Sequence, residues 1–227
     1  MASRDTSMES MEGIVRLLRA SAALQEGHFA LSSGLHSGHY LQCALFLMYP
    51  ENAALAGSLL ARKLSHLEPS LVVSPALGGI IIGHEVAKHL GVPFLFCERE
   101  RGEMKLRRFP APGPARYVII EDVVTSGRSV LEVKKVMDSM EETRFLAAGC
   151  IADRSDGLFI EEKGLTSLVR FDFQNYNREE CPLCREGIPL SAGLLPGQEV
   201  GGADHRNIFA AGVCGVGIVV VADAQDE

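Results

Sequence analysis

An α/β fold with a central, mainly parallel sheet flanked by helices is predicted by three features of this sequence. Short apolar runs of strand length alternate with longer segments of helical periodicity, which is the pattern of a parallel sheet with right-handed crossovers. One of these strands ends in two adjacent carboxylates and passes through a hydroxyl-rich turn directly into a helix. The chain is also long enough, at 227 residues with 47% apolar side chains, to bury a full core in one domain of ordinary size.

The elements follow in order. Glu9 to Ala23 reads as an amphipathic helix with Ile14, Leu17 and Leu18 on one face. His28 to Tyr40 is a Gly- and Ser-rich, hairpin-like stretch. Asn52 to Leu64 is a helix entered after Pro50, and Leu71 to Ser74 is a short buried strand. A turn at Pro75-Ala-Leu-Gly-Gly79 leads to a helix from Ile80 to Leu90, stopped by Gly91. Pro93 to Cys97 is the next strand, and the polar, Pro-rich segment Glu98 to Pro114 reads as a long loop. A strand from Tyr117 precedes a helix from Ser129 to Met140, in which Val130, Val133, Val136, Met137 and Met140 recur at helical spacing. Phe145 to Ala152 and Leu168 to Phe171 complete the strands.

Tyr117 to Ser129 reads Y-V-I-I-E-D-V-V-T-S-G-R-S. A strand delivers its last residues to the sheet edge where ligands of open α/β folds bind. Glu121 and Asp122 can accept hydrogen bonds from vicinal hydroxyls of a ribose. The turn beyond them offers backbone N–H groups and the hydroxyls of Thr125, Ser126 and Ser129 to a phosphate, at the positive end of the new helix. Gly127 lets the backbone turn sharply and approach an anion. A sugar with a phosphate near a cis-diol fits both sets of contacts. The spacing matches neither a Walker A loop nor a dinucleotide-binding G-x-G-x-x-G.

This segment resembles the 5-phosphoribosyl-1-pyrophosphate (PRPP) signature of type I phosphoribosyltransferases: an apolar strand, an acidic pair, two apolar residues, then Thr-x-Gly-x-Ser or Thr. F-A-L-S-S-G-L-H-S-G-H-Y, S-P-A-L-G-G-I-I-I-G-H-E-V-A, E-R-E-R-G-E-M-K-L-R-R-F, C-I-A-D-R and C-P-L-C-R-E-G-I-P-L resemble bacterial orotate phosphoribosyltransferase in order and spacing, over most of residues 12–190. The resemblance implies the type I phosphoribosyltransferase fold with a small hood over the base. It also implies transfer of the 5-phosphoribosyl group of PRPP to orotate, giving orotidine 5′-monophosphate and pyrophosphate in de novo pyrimidine synthesis.

The resemblance further implies roles for individual residues. Glu121, Asp122, Val123, Val124, Thr125, Ser126, Gly127, Arg128 and Ser129 match the PRPP-binding segment. Thr125 and Arg154 match positions beside orotate; a guanidinium forks onto a carboxylate or carbonyl edge. Arg99 and Lys105 belong to a mobile loop that closes over pyrophosphate, usually on the neighbouring subunit, and with Asp122 they are the catalytic candidates. Mg²⁺ is expected as cofactor, held mainly through PRPP and water rather than by direct protein ligands. A homodimer with shared active sites is expected. The domain is expected to span 1–190, with the hood from 24–48 and a piece near 172–190.

Some positions depart from the family pattern. Ser32 and Gly78 stand where many members have lysine. The loop is shorter, with Lys105 its one lysine beside Arg99, Arg101, Arg107 and Arg108. Residues 191–227 have no counterpart in the resemblance. They are rich in Gly and Ala and end in the apolar run Ile208 to Ala222, which could add an edge strand or lie poorly ordered.

Composition narrows the partners. A net charge of −7 disfavours a general nucleic-acid or anionic-membrane surface. No N-terminal signal pattern and no run of membrane-spanning length is seen, so a cytoplasmic enzyme is expected. Three of the six cysteines lie in apolar segments, as suits buried thiols in a reducing compartment. Cys181-Pro-Leu-Cys184 has metal-ligand spacing but is half a zinc site. No second C-x-x-C and no His pair of finger spacing accompanies it. A tight turn packed on the core is the expectation, unless two subunits share a site.

Overall fold

The computed structural model describes residues 10–31, 33–155, 157, 159–160 and 163–192. Residue 32 and the apolar run Ile208 to Ala222 lie outside them, as does the rest of the chain beyond residue 192.

The first helix, α1 (Met11–Ala20), starts where Ser10 accepts a hydrogen bond from the Gly13 N–H at 3.1 Å. It buries Ile14 and Leu18. Two strands follow, β1 (Leu24–Ala30) and β2 (His36–Leu41), then α2 (Cys43–Leu47) and α3 (Pro50–Leu64), with Pro50 in the first turn of α3. Next come β3 (Leu71–Pro75), α4 (Gly79–Leu90), β4 (Phe94–Glu100) and β5 (Glu103–Lys105). The central strand β6 (Ala115–Val124) feeds α5 (Arg128–Asp138), and β7 (Thr143–Asp153) follows. A small hairpin pairs β8 (Phe159–Ile160) with β9 (Lys163–Gly164). The described chain ends with β10 (Thr166–Arg170), β11 (Asn175–Tyr176), α6 (Pro182–Arg185) and β12 (Ser191–Ala192).

The main sheet has the order β10-β7-β6-β3-β4-β5, and its pairs are parallel except β4 with β5. Both faces are covered, so β6 is apolar on both sides. Val118 and Ile120 pack with Ala56 and Leu60 of α3 and with Ile82 and Val86 of α4. Tyr117 and Ile119 pack with Val130, Val133 and Met137 of α5. Tyr117 is fully buried, yet its hydroxyl donates to Asp138 Oδ1 at 2.8 Å, which removes the penalty of an unpaired hydroxyl. Chain order reverses between β3 and β6: β4 lies beyond β3 on one side, and β7 beyond β6 on the other. The crevice at the ends of β3 and β6 is therefore the switch point at which open α/β sheets take ligands.

The segment read from sequence as one loop, Glu98 to Pro114, begins instead as structure. β4 runs on through Glu98, Arg99 and Glu100, and pairs antiparallel with β5. The turn between them has positive φ at both Arg101 (51°) and Gly102 (87°), as a tight two-residue hairpin requires. The charges hid the strand because β4 and β5 form the sheet edge, where charged side chains are normal.

A second, smaller sheet has the order β11-β2-β1-β12. β1 and β2 pair antiparallel, with a register irregularity between Glu26 and Phe29. β12 pairs parallel with β1 at Phe29–Ser191 and Ala30–Ala192.

Candidate active site

Three segments meet at the switch point. At the end of β6, Glu121 is buried and Asp122 half-buried. The Asp122 carboxylate accepts from the Val123 N–H at 2.8 Å, and Glu121 Oε1 accepts from the Asp122 N–H at 3.3 Å. Burial first, and the adjacent Asp122 carboxylate second, push Glu121 from its ordinary 4.5 up to about 9. Burial also raises Asp122, against the pull of the Val123 N–H.

The second segment is the turn after β3. Gly78 sits against the acidic pair so closely that a Cβ there would lie 2.5 Å from Asp122 Oδ1. A Cβ at Gly79 would lie 3.2 Å from Glu121 Oε1 and 2.8 Å from the Ile120 carbonyl oxygen. Glycine at both positions lets this backbone reach the carboxylates.

The third segment is the turn from Val124 into α5. Gly127 takes φ 71° and precedes the helix, and no side chain caps the first turn. Glu121, Val123, Val124, Thr125, Ser126, Gly127, Arg128, Ser129 and Val130 line one concave pocket. Thr125 and Ser126 are exposed and Ser129 half-buried. The free N–H groups of the helix start and these hydroxyls suit a phosphate. The Arg128 side chain turns along its own helix, to Glu132 at 2.8 Å.

Arg154 reaches the same end of the sheet. Its N–H donates to the Val124 carbonyl at 2.8 Å, which fixes it beside the start of the hydroxyl-rich turn. Asp153, buried next to it, accepts from Ser155 N–H and Oγ at 2.8 and 2.6 Å and pairs with Arg170 at 3.3 Å. The Arg154 guanidinium lies 4.9 Å from the Phe173 ring centre. Phe173 stacks on Phe171 at 4.9 Å and on His39 of β2 at 4.6 Å. Arg154 Nε is buried without a hydrogen-bond partner among the described residues, and burial pulls the group below its usual value. A desolvated guanidinium with an unused donor is prepared for an anion. The aromatic stack escaped sequence reading, because His39 and Phe173 are far apart in the chain and share no motif.

The basic residues of the edge hairpin and the loop after it face carboxylates of this chain. Arg99 pairs with Glu132 of α5 at 2.5 Å, and this pair and Arg128 hold Glu132 below the usual carboxylate range. Lys105 meets Glu103 at 3.2 Å and Glu100 at 3.5 Å, and these contacts raise its pKa. Arg107 meets Glu100 at 3.2 Å, and Arg108 meets Glu98 at 3.0 Å. Arg101 is exposed at the hairpin tip, with no carboxylate partner among the described residues.

No family model matches the chain. Individual relatives do. An orotate phosphoribosyltransferase of a Thermoanaerobacter species is 42% identical over 180 residues, covering 79% of this chain and 94% of the relative. The Thermotoga maritima orotate phosphoribosyltransferase is 43% identical over 178 residues, covering 78% and 94%. Among solved structures, the orotate phosphoribosyltransferase of Aeropyrum pernix superposes with a TM-score of 0.61 at 25% identity, covering 70% of this chain and 93% of that one. The Mycobacterium tuberculosis enzyme in complex with PRPP superposes with a TM-score of 0.53 over 75% of this chain and 92% of that one; at 16% identity it speaks for the fold alone.

Proposed function

The chain belongs to the orotate phosphoribosyltransferase family, and we propose that it transfers the 5-phosphoribosyl group of PRPP to orotate, forming orotidine 5′-monophosphate and pyrophosphate. The observation that carries this reading is the meeting of an acidic pair with Glu121 buried, a glycine turn and a hydroxyl-rich helix start at one switch point.

In this reading Glu121 and Asp122 accept hydrogen bonds from the ribose 2′- and 3′-hydroxyls. Thr125 to Ser129 hold the 5′-phosphate with backbone N–H groups and hydroxyls. The Pro75–Gly79 turn faces the pyrophosphate end. Gly78 stands where the family pattern has lysine, and the missing charge would move the burden of neutralising pyrophosphate to Arg99, Lys105 and their neighbours. Arg154, with its unused Nε donor, takes the orotate carboxylate or a carbonyl edge, and Thr125 lies beside the base.

Orotate arrives as an anion, so no strong general base is needed for N1 to attack C1. The C1–O bond to pyrophosphate breaks as the ribose takes on oxocarbenium character. Catalysis then rests on positioning and on stabilising charge. A hard divalent cation fits the donor set, because burial holds a proton on the acidic pair that an arriving cation can displace, freeing carboxylate oxygens to face it. Glu121 and Asp122 would hold Mg²⁺ mainly through ribose hydroxyls and water, and when bound it supplies charge neutralisation to pyrophosphate. Closure of the Arg99-bearing hairpin would exclude water, which otherwise hydrolyses PRPP. The smaller sheet, with its stack of His39 on Phe173, forms the hood over the base. A dimer that shares hairpins between sites, in the cytoplasm, completes the reading. Among the described residues no helix is long and apolar enough to cross a membrane.

Pyrophosphate release with PRPP, magnesium and orotate tests the proposal. Turnover with orotate, and none with adenine, guanine or uracil, is expected. Turnover confined to another base would overturn it.

A further inference from the structure

In the Cys181–Cys184 turn Cys181 is buried and Cys184 half-buried, and the turn does not pack on apolar side chains alone. It meets two histidines from the other end of the domain. His28 Nε2 lies 3.5 Å from Cys181 Sγ, 3.7 Å from Cys184 Sγ and 3.0 Å from His36 Nδ1, while His36 Nδ1 lies 3.3 Å from Cys184 Sγ. All four atoms fall within 4.8 Å of one another. We propose that His28, His36, Cys181 and Cys184 form a structural zinc site within one chain, which staples the small sheet to the C-terminal turn.

The geometry fits the ion. With Zn–N near 2.05 Å and Zn–S near 2.3 Å, a tetrahedral centre puts its ligand atoms about 3.3 Å apart for two nitrogens and about 3.6 Å for nitrogen and sulfur. The distances between these four side chains scatter around those values.

Hydrogen bonding alone engages the cluster only in part. His28 Nδ1 lies 2.8 Å from the Ile188 carbonyl, which can only accept, so Nδ1 carries the proton. In the neutral ring Nε2 is then a bare lone pair, aimed at a nitrogen and two sulfurs at once. One lone pair accepts one good hydrogen bond, whereas a metal ion at the centre uses that lone pair and the three other ligands together. The bond from Nδ1–H to a backbone carbonyl is also the outer contact that metal-bound histidines usually make.

Charge and topology agree. Two thiolates and two neutral imidazoles bring Zn²⁺ to net zero, which suits a site where His28, His36 and Cys181 are buried. Soft sulfur with imidazole selects zinc over magnesium or calcium. Four protein ligands leave no open position, so the role is structural. The ligands come from β1, β2 and the start of α6, with Ile188 beside them. The irregularity in β1 between Glu26 and Phe29 contains His28 and re-aims a side chain there. Such small sheets hold few apolar contacts of their own, and a metal can supply what the core does not.

The test uses tag-free full-length protein, expressed with zinc and desalted. Zinc is counted by plasma mass spectrometry against protein concentration, in the wild type and in Cys181→Ser and Cys184→Ser. The expectation is close to one zinc per chain in the wild type and loss in both variants. Replacement by Co²⁺ should give the visible bands of tetrahedral cobalt and thiolate-to-metal charge transfer in the near ultraviolet. Stripping the ion with a chelator should lower the unfolding temperature by roughly 5 °C or more, reversibly on adding zinc. Wild-type protein without zinc, and without charge transfer when given cobalt, would overturn the proposal. So would a mass two hydrogens low from a Cys181–Cys184 disulfide. If the serine variants do not fold, the wild-type metal count and cobalt spectrum decide the matter by themselves. None of these readouts depends on turnover or on the identity of the base.

Discussion

Binding of Mg·PRPP should expel close to one proton from the acidic pair. Glu121 stands at about 9 without ligand, because it is buried beside Asp122. At pH 7 such a group is mostly protonated. A cation and ribose hydroxyls at the pair favour the carboxylate and return its pKa toward the ordinary 4.5. Between those two values the free protein binds the extra proton and the complex does not. Affinity should thus rise with pH by up to ~tenfold per unit across that window and flatten above it. The two carboxylates titrate as a pair, so the proton belongs to both. The same sign governs folding without ligand. Glu121 has a higher pKa folded than unfolded, so its contribution is fully present below 4.5 and is lost as pH rises through about 9. The assay is calorimetry of Mg·PRPP binding at pH 7 in buffers of different ionisation enthalpy, which counts protons directly. Glu121→Gln corrects for protons from PRPP itself, since it cannot titrate. An excess near one proton in the wild type over Glu121→Gln is expected. Equal proton counts, or affinity that falls as pH rises from 5 to 9, would refute the placement of the ligand on this pair.

Other variants test other parts of the site. Asp122→Asn should keep the fold, checked by circular dichroism, and lower kcat/KM by roughly 10- to 100-fold, the equivalent of one charge-assisted hydrogen bond of about 1.5–3 kcal/mol. Arg154→Ala should raise KM for orotate far more than KM for PRPP, and an equal loss for both would point to general destabilisation. Mixing Arg99→Ala with Asp122→Asn chains should restore part of the activity if the hairpin serves the neighbouring site; no gain over either parent would confine it to its own chain. Truncation after Gly193 should leave activity and unfolding temperature unchanged, whereas truncation after Leu190 removes β12 and should cost about 1 kcal/mol.

The sequence made the central strand and its turn legible because both rest on local chemistry. Apolar residues from Tyr117 to Ile120 fill two buried faces, and Gly127 takes the positive φ that the turn needs. The four longer helices were legible from periodicity, with ends displaced by one to three residues, as where α1 ends at Ala20 rather than Ala23, while the short α2 and α6 carry no such signal. The edge strands were hidden because their pattern is set by solvent: Glu98 to Glu100 carry charge on a strand that pairs on one side with short β5. The small sheet was half legible. Its Gly- and Ser-rich stretch read as hairpin-like, but β1 already starts at Leu24. The expected end of the domain at residue 190 stops short of β12, a two-residue strand defined wholly by its partner. The Cys-x-x-C turn suggested half a metal site, while its other half lay some 150 residues upstream, with a spacing that fits no finger pattern. Only the fold brings such residues together.

The carboxylates around the edge hairpin set a threshold for the anions it answers to. Arg99, Lys105, Arg107 and Arg108 each hold a carboxylate partner within the chain. A singly or doubly charged inorganic ion offers each cation little more than its own glutamate does, and must also separate an existing pair. Pyrophosphate gathers more charge into a small volume and, in the proposed reaction, would meet several of these cations at once. In the proposed reaction the hairpin would thus act as a self-quenched receptor, quiet toward inorganic phosphate and chloride and responsive to the one group whose departure completes the reaction.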